Sequence, residues 1–279
     1  MKLLVFLLLP YLSLSEVFQD FNQCSQFFLK NVPPRFIPPL SSTAHICQCV
    51  WNESDVKTYV YATLYNTAWR IPIYSAYVFE KPRSIGRCDL WYIEPQLDRD
   101  ADPCNGNNAD PCMSPKGRKI INNQAVNSDY DGSGYDKGHL YPVQHTNNHL
   151  SMLATSTLTN AAPQNSTFNR GAWKTHEKAV KVDLQGCDYA LAYVVTGVVP
   201  DINIKIPTNN RRVTVSKYYW RATCCVKNGV VMVQGYYGPD NNDKLQKLSI
   251  TDLQKQLAKD YKVRNIIIFP NLLKRDRED

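Results

Sequence analysis

The chain has 279 residues, of which 43% are hydrophobic and 20% are charged, so it can bury a sizeable core and is not a disordered chain. Its length excludes a disulfide mini-scaffold and fits one large or two modest domains. Lys and Arg number 32 against 25 Asp and Glu, and this net charge of +7 favours anionic partners without indicating an activity.

The N-terminus has the pattern of a secretory signal peptide over residues 1–15. A basic start is followed by an apolar run at 3–9, and Ser13 and Ser15 occupy the −3 and −1 positions of a cleavage site before Glu16. A buried strand or a membrane anchor is the alternative, but the apolar run is far shorter than the ~20 residues that a membrane span needs. No later segment is long and apolar enough to span a bilayer. We therefore expect a secreted protein.

The nine cysteines fit this oxidising route, in which disulfides are their usual fate. Because nine is odd, at least one thiol is free, bound to a small thiol or able to link two chains. Cys224 and Cys225 are adjacent in a predicted strand and cannot easily bond to each other. The lone pair Cys47 and Cys49 has no second pair at the spacing of a zinc site, so cysteine-bound zinc is disfavoured.

The rest of the chain shows no internal repeat and no low-complexity linker. The simplest partition is a signal peptide at 1–15, an N-terminal extension at 16–54 and one domain at 55–279. Sequons at Asn52 and Asn165 fit a secreted glycoprotein. The oligomeric state is left open.

Five segments rich in β-branched and aromatic residues are predicted strands: 57–65, 71–79, 188–198, 212–223 and 229–237. A short polar turn separates the first two, which predicts a hairpin. Helical periodicity follows Gly171 and recurs at 251–262, where Leu253, Leu257 and Tyr261 repeat at i, i+4 and i+8. The expected fold is α+β, with a central antiparallel sheet flanked by helices and long loops.

A polar segment at 98–170 is dense in Asn, Asp, Gly and Ser, as is typical of loops that carry sites. It contains Tyr-Asp-Lys-Gly-His-Leu at 135–140 and Leu-Thr-Asn-Ala-Ala-Pro-Gln at 158–164, and Asn-Arg-Gly-Ala-Trp follows at 169–173, with Glu177 after it. The chain has no phosphate-binding P-loop, dinucleotide glycine fingerprint or Gly-x-Ser-x-Gly elbow. These absences disfavour nucleotide-cofactor enzymes and serine hydrolases.

His139 is a candidate base for water, because an imidazole with a pKa of about 6.5 is largely neutral at physiological pH. Asn169 is predicted to begin a helix, and a helix start attracts phosphate. Glu177 then lies about 12 Å further along the axis, so a metal bound to the Asn169 amide oxygen would meet Glu177 through waters. Such a water-rich site suits Mg²⁺ better than Zn²⁺. Taken singly, a helix cap, a surface charge and an ordinary histidine remain the plainer alternatives.

These motifs resemble the non-specific DNA/RNA endonucleases with a ββα-metal, or His-Me finger, site. The family's Asp-Arg-Gly-His appears as Asp-Lys-Gly-His at 136–139, and its Asn-x-x-Pro-Gln appears at 160–164. Its Asn-x-Gly-Ala-Trp with a Glu eight residues after the Asn appears at 169–177. Order and spacing agree, and the resemblance covers about residues 55–270.

The resemblance implies a role for each matching residue. His139 would be the general base, and Asn169 would be the direct ligand of Mg²⁺, with Mn²⁺ as the alternative ion. Glu177 would orient metal-bound waters, while Asn160 would help to position the substrate or His139. Arg87 is the candidate for the family's upstream phosphate-binding arginine, at a looser spacing.

Lys137 departs from the family, because it replaces a guanidinium fork with a point charge that can still contact phosphate. We expect attenuated hydrolysis of DNA and RNA, with little base preference. The first alternative is a secreted nucleic-acid-binding protein that has lost catalysis. The second is a zinc hydrolase built on His145 and His149, although these lack the metalloprotease Glu. A glycan on Asn165 would stand near the substrate path.

Overall fold

The computed structural model describes residues 17–51, 56–83, 90–98, 121–188, 192–241, 243–270 and 272. The strands are β1 (Val17–Phe18), β2 (Arg35–Ile37), β3 (Thr43–Trp51), β4 (Lys57–Asn66), β5 (Ile71–Val78), β6 (Tyr135–His139), β7 (Ala161–Asn165), β8 (Ala192–Ile206), β9 (Val213–Lys227), β10 (Val230–Pro239), β11 (Gln246–Leu248) and β12 (Asn265–Ile267). The α-helices are α1 (His149–Thr155), α2 (Ser166–Phe168), α3 (Lys174–Leu184) and α4 (Ile250–Asp260). None of the helices in these ranges is long and apolar enough to cross a bilayer.

One large antiparallel sheet dominates the fold. It has eight strands in the order β1-β3-β4-β5-β8-β9-β10-β11. The predicted hairpin is present as β4 and β5, with Leu64 opposite Tyr74. The three later predicted strands correspond to β8, β9 and β10, and β8 extends to Ile206, beyond its predicted end at residue 198. The expected α+β class is confirmed.

The sheet buries both of its faces, because side chains alternate along each strand. On β9, Trp220 packs into the cluster that contains Leu253 and Leu257 of α4. The preceding residue, Tyr219, packs on the opposite side with Trp173, at the start of α3. The predicted apolar positions of α4 are therefore the ones that pack against one face of the sheet. The opposite face carries the segment with the polar motifs.

The N-terminal segment pairs with the main sheet, and the partition into an extension at 16–54 and a domain at 55–279 stays a prediction. Strand β1 pairs with β3, and β3 pairs with β4. A disulfide joins Cys24 to Cys47 on β3, and Phe36 of β2 lies opposite Ile266 of β12. Long-range strand pairing and the disulfide thus decide the place of this segment.

The cysteines of the described ranges are bonded, with one exception. Cys187 is bonded to Cys225, and Cys49 is also disulfide-bonded. Cys224 is free and buried, with no exposed surface. Cys224 is thus the free thiol of the described ranges, and the sheet covers it. That an unpaired cysteine links two chains stays a prediction.

Candidate active site

Two of the sequence motifs form a small antiparallel pair outside the main sheet. Strand β6 carries Asp-Lys-Gly-His, and β7 follows Asn160, with His139 opposite Ala161 and Gly138 opposite Ala162. The chain leaves β7 directly into a helix. The motifs thus build a ββα unit, in which one strand presents His139 and the helix presents Asn169.

Gly138 of the first motif packs closely against Gln164 of the second motif. A Cβ atom at this position would lie 2.4 Å from Oε1 of Gln164, the last residue of the second motif. Any side chain would therefore push the two strands apart. The glycine lets β6 approach β7 closely at the residue before His139.

The site helix begins one turn earlier than predicted. Asn165 is the N-cap, and its Oδ1 accepts hydrogen bonds from the backbone N–H groups of Thr167 at 3.0 Å and Phe168 at 3.2 Å. Asn169 therefore does not cap the helix, and it opens a π-helical turn, Asn169–Trp173, that leads into α3. Such turns are frequent at functional sites. Both carboxylate oxygens of Asp240 accept from the Asn165 N–H and hold this helix start against the end of β10.

A cleft of about 440 Å³ brings together four of the predicted site residues: Lys137, His139, Asn169 and Glu177. Its walls also contain Arg83, Gln144, Arg170, Lys174 and Lys181, which the sequence analysis did not single out. The positive side chains outnumber the carboxylate. A phosphate backbone is the kind of polyanion that this cleft suits.

The orientation of the Asn169 amide follows from its partner. Its Nδ2 donates to Oδ2 of Asp136 at 2.9 Å, and an ionised carboxylate can only accept. The Oδ1 atom is therefore the end of the amide that is available to the cleft. Burial would raise the pKa of Asp136, but hydrogen bonds from Arg170, Asn169 and Ser166 outweigh it and hold the pKa below its usual value.

Trp91 lies against both functional side chains of β6. Its ring centroid is 4.7 Å from that of His139. Nζ of Lys137 lies 5.6 Å from the Trp91 ring centroid and 5.5 Å from that of Tyr130, so two aromatic faces hold the ammonium group. Burial lowers the pKa of Lys137. The lysine that replaces the family's arginine is thus restrained against the wall of the cleft.

Gln144 and Arg221 hold the carboxylate of Glu177 in place. Its Oε2 accepts a 2.6 Å hydrogen bond from Gln144, and its Oε1 lies 3.7 Å from the guanidinium of Arg221. Arg221 is completely buried and lies over the ring of Trp173. Burial raises the pKa of the Glu177 carboxyl, and the charge of Arg221 opposes this rise. Both oxygens are engaged with the protein, which fits an outer position at a metal better than a direct one.

Asn160 does not line the cleft. Its side chain is buried, where Oδ1 accepts from the N–H of Tyr141 and Nδ2 donates to the carbonyls of Tyr141 and Thr155. Its own carbonyl accepts from Leu140, the residue after His139. Backbone groups engage both ends of this amide, so the geometry favours the second part of the prediction, that Asn160 helps to position His139, over a contact with substrate.

Arg87 lies outside the described residues, so the predicted phosphate-binding arginine has no observed position. Arg83 instead lines the cleft. Its sequence signal was weak, because it lies in a loop with no matching motif. Arg221 had a clearer signal, since it directly follows the aromatic run at 218–220 within a predicted strand.

His145 and His149 do not form a zinc pair. Nδ1 of His145 is 2.8 Å from the hydroxyl of Tyr77, and its Nε2 is 2.9 Å from the carbonyl of Glu177. A carbonyl only accepts, so Nε2 carries the proton and Nδ1 accepts from Tyr77. Burial, followed by the charge of Arg221, lowers the pKa of His145 to about 3. This neutral, fully engaged ring is structural, while His149 is exposed at the start of α1.

The cleft fits a hard, hydrated cation. Within the described ranges no three His, Cys, Asp or Glu residues cluster as a metal site. The available donors are the amide oxygen of Asn169 and, behind it, the carboxylate of Glu177. One neutral oxygen with room for waters matches the chemistry of Mg²⁺, which keeps several waters when it binds proteins.

Comparisons with known proteins agree with the motifs. The family profile described as DNA/RNA non-specific endonuclease matches residues 50–274, so the resemblance is confirmed. The human endonuclease domain-containing 1 protein is 31% identical over 245 residues, which are 85% of this chain and 46% of that protein. Bovine mitochondrial endonuclease G is 33% identical over 117 residues, which are 42% of this chain and 38% of that protein. The chain thus spans about half the length of the first of these relatives.

The fold is also similar to a solved structure. A chain in the crystal structure of an EndoG/EndoGI complex superposes with a TM-score of 0.51 at 22% identity. The match covers 73% of this chain and 82% of that chain. At this identity the likeness establishes the fold alone.

Proposed function

The chain belongs to the DNA/RNA non-specific endonuclease family, and we propose that it is a secreted, Mg²⁺-dependent endonuclease that hydrolyses the phosphodiester bonds of DNA and RNA. The observation that carries this proposal is the single cleft lined by His139, Asn169 and Glu177. His139 lies on β6, and Asn169 and Glu177 lie on the helix that follows β7.

His139 is the general base of the proposed reaction, and it takes a proton from the water that attacks phosphorus. Asn169 would hold Mg²⁺ through its Oδ1, and Glu177 would orient the waters of the bound ion. When bound, Mg²⁺ stabilises the charge that builds on the phosphoryl oxygens and on the leaving 3′ oxygen. Asn160 acts as a positioning residue, because it fixes the backbone that follows His139. The products carry a 5′ phosphate and a 3′ hydroxyl.

The basic side chains of the cleft bind the rest of the substrate. Lys137 lies on β6, Arg83 lies in the segment after β5, and Arg170 and Lys174 lie on the site helix. Phosphate contacts carry no base information, so we expect little sequence preference. Arg87 stays a proposed phosphate ligand from the family's pattern alone.

The proposed signal peptide at residues 1–15 directs the chain into the secretory route. The bonds Cys24–Cys47 and Cys187–Cys225 are compatible with that route. Sequons at Asn52, outside the described residues, and at Asn165 support a glycoprotein.

Plasmid nicking tests the activity. The wild-type protein should nick supercoiled DNA with Mg²⁺ and stop with EDTA, and His139→Ala and Asn169→Ala should both be inactive. His149→Ala is the matched control, since this exposed histidine is one of the two zinc candidates and should not affect the rate. Loss of activity in His149→Ala with retention in Asn169→Ala would replace the proposal with the zinc hydrolase.

The second candidate is a nucleic-acid-binding protein that has lost catalysis. The observation that favours it is the restraint of Lys137 against Trp91 and Tyr130, which keeps its ammonium close to the wall. Fluorescence anisotropy with a labelled duplex separates the two. Tight binding without nicking at any Mg²⁺ or Mn²⁺ concentration supports the binding protein and contradicts the enzyme.

A further inference from the structure

The sequon at Asn165 occupies the first turn of the site helix. Asn165 is half-buried at the end of β7, and Thr167, which supplies the hydroxyl of the sequon, is exposed. Between them, Ser166 directs its hydroxyl to Asp136 at 3.0 Å. A potential modification site and the scaffold of the active site therefore share three consecutive residues.

The two ends of the Asn165 amide face different surroundings. Oδ1 is used as the helix cap and accepts from two backbone N–H groups. Nδ2 donates to no protein atom that the structure describes, and it is not among the buried polar atoms that lack a partner, so it reaches solvent. Glycosylation consumes an N–H of Nδ2 and leaves Oδ1 in place. The cap and a glycan can therefore coexist on one side chain.

The position of Asn165 places an attached saccharide beside the cleft. Asn169 lies four residues later, and residues four apart in a helix are neighbours on the same side. Asp136 connects the two turns, because it accepts from Ser166 at one oxygen and from Asn169 at the other. A glycan on Asn165 would start about one helical turn, ~5 Å, before the metal ligand.

We propose that Asn165 carries an N-linked glycan that stands at the mouth of the cleft and restricts the entry of duplex DNA more than that of small phosphodiesters. This inference rests on the proposed function, since it needs both the secretory route and a nucleic-acid substrate in the cleft. A rigid duplex needs open space on both sides of the scissile phosphate, whereas a small diester reaches the same atoms through a narrow opening.

The covalent step uses a lipid-pyrophosphate-linked oligosaccharide as the donor. The Nδ2 atom bonds to the anomeric carbon, the bond from that carbon to the pyrophosphate oxygen breaks, and the lipid pyrophosphate leaves with the electron pair. The amide loses one proton to a base of the transferase, and no oxidant or reductant takes part.

Three proteins secreted from a eukaryotic host test the proposal. Thr167→Val removes the sequon and keeps the Asn165 cap, while Thr167→Ser keeps both and is the matched control. We expect glycosidase treatment to reduce the mass of the wild type and Thr167→Ser by one glycan more than that of Thr167→Val, because the Asn52 sequon is common to all three. Thr167→Val should cleave duplex DNA severalfold faster than the other two, with equal rates on bis(4-nitrophenyl) phosphate.

Equal mass losses in the three proteins would show that Asn165 carries no glycan. Unequal mass losses with equal rates of duplex cleavage would show that the glycan does not restrict the cleft. If none of the three proteins cleaves any substrate, the proposed nuclease function fails, and the restriction is then measured as duplex binding in EDTA, where Thr167→Val should bind severalfold more tightly. Asn165→Gln shows the second use of the side chain, since it should melt at a lower temperature than Thr167→Val through loss of the cap.

Discussion

Asn169 donates its side-chain amide to the carboxylate of Asp136 at 2.9 Å, and the same carboxylate holds Arg170 through two hydrogen bonds at 2.9 and 2.8 Å. One residue of β6 thereby fixes both the proposed metal ligand and its neighbour on the helix. Asp136 precedes Lys137 and His139, which are proposed to act on substrate, and its own contact is with Asn169.

Substituting Asp136→Asn should release this orientation. An amide at position 136 can donate as well as accept, so it no longer requires Asn169 to present its Nδ2. We expect the Mg²⁺ concentration for half-maximal rate to rise or the rate to fall by about 10- to 100-fold, as is usual for residues that orient metal ligands. Arg170→Gln is the control, because it removes the exposed ion pair and leaves the Asn169 bond. Equal Mg²⁺ dependence in wild type and Asp136→Asn would contradict the role.

Substituting Lys137→Arg should increase the rate. A guanidinium can contact phosphate with two parallel hydrogen bonds and can also stack on Trp91, whereas the ammonium offers a point charge. We expect kcat/KM on DNA to rise by about tenfold, equivalent to ~1.4 kcal/mol. Lys137→Gln should be slower than wild type. A Lys137→Arg variant no faster than wild type would mean that the aromatic pocket is adapted to lysine.

The ion pair of Arg221 and Glu177 should show strong coupling in stability. Arg221→Met leaves the Glu177 carboxylate buried without its counter-charge, which costs about 3–5 kcal/mol in the free energy of unfolding. The double variant Arg221→Met, Glu177→Gln should lose less than the two single losses together, because no unpaired charge remains. Urea unfolding measures all three. Additive losses would show that the pair, whose closest atoms are 3.7 Å apart, contributes nothing as a pair.

His145 should make the protein sensitive to acid. Its pKa is lowered by burial to about 3, whereas the unfolded chain has a value near 6.5. The stabilisation that comes from keeping this ring neutral is therefore complete above about pH 6.5. It decreases by about 1.4 kcal/mol per pH unit as the pH falls, until it is lost below about pH 3. The substitution His145→Gln removes one titrating group and should make the free energy of unfolding less dependent on pH. Buried His176, whose pKa is also lowered, still contributes to that dependence. Parallel slopes of unfolding free energy between pH 7 and pH 4 would contradict this assignment.

Local patterns predicted most of the scaffold but not the ties that hold the site. The hairpin of β4 and β5 follows from two runs of β-branched and aromatic residues around a polar turn, and both runs belong to one continuous segment. The helix start was misplaced because Asn165 ends a strand and caps a helix at once, so its second role has no separate signal. Arg221 meets Glu177 across 44 positions of the chain, and such pairings arise only from the register of the sheet.

Residues within the motifs were easier to predict than isolated residues, because a motif is also a local pattern. Lys137 and His139 share a strand, so the spacing of the motif fixes which residues point into the cleft. Asn160 was expected near the substrate, yet its amide is consumed by backbone groups of the turn that it closes. A motif identifies a necessary residue, but packing determines whether that residue touches substrate.

The helix that carries Asn169 and Glu177 is fastened to the sheet at both ends. Asp240 holds its first turn through Asn165, and beyond its last turn Cys187 is bonded to Cys225 on β9. The first attachment consists of hydrogen bonds, whereas the second is a disulfide that thiols can reduce. In a reducing compartment the site helix would lose this far attachment to β9, so the stability of the helix that carries the candidate site depends on an oxidising environment.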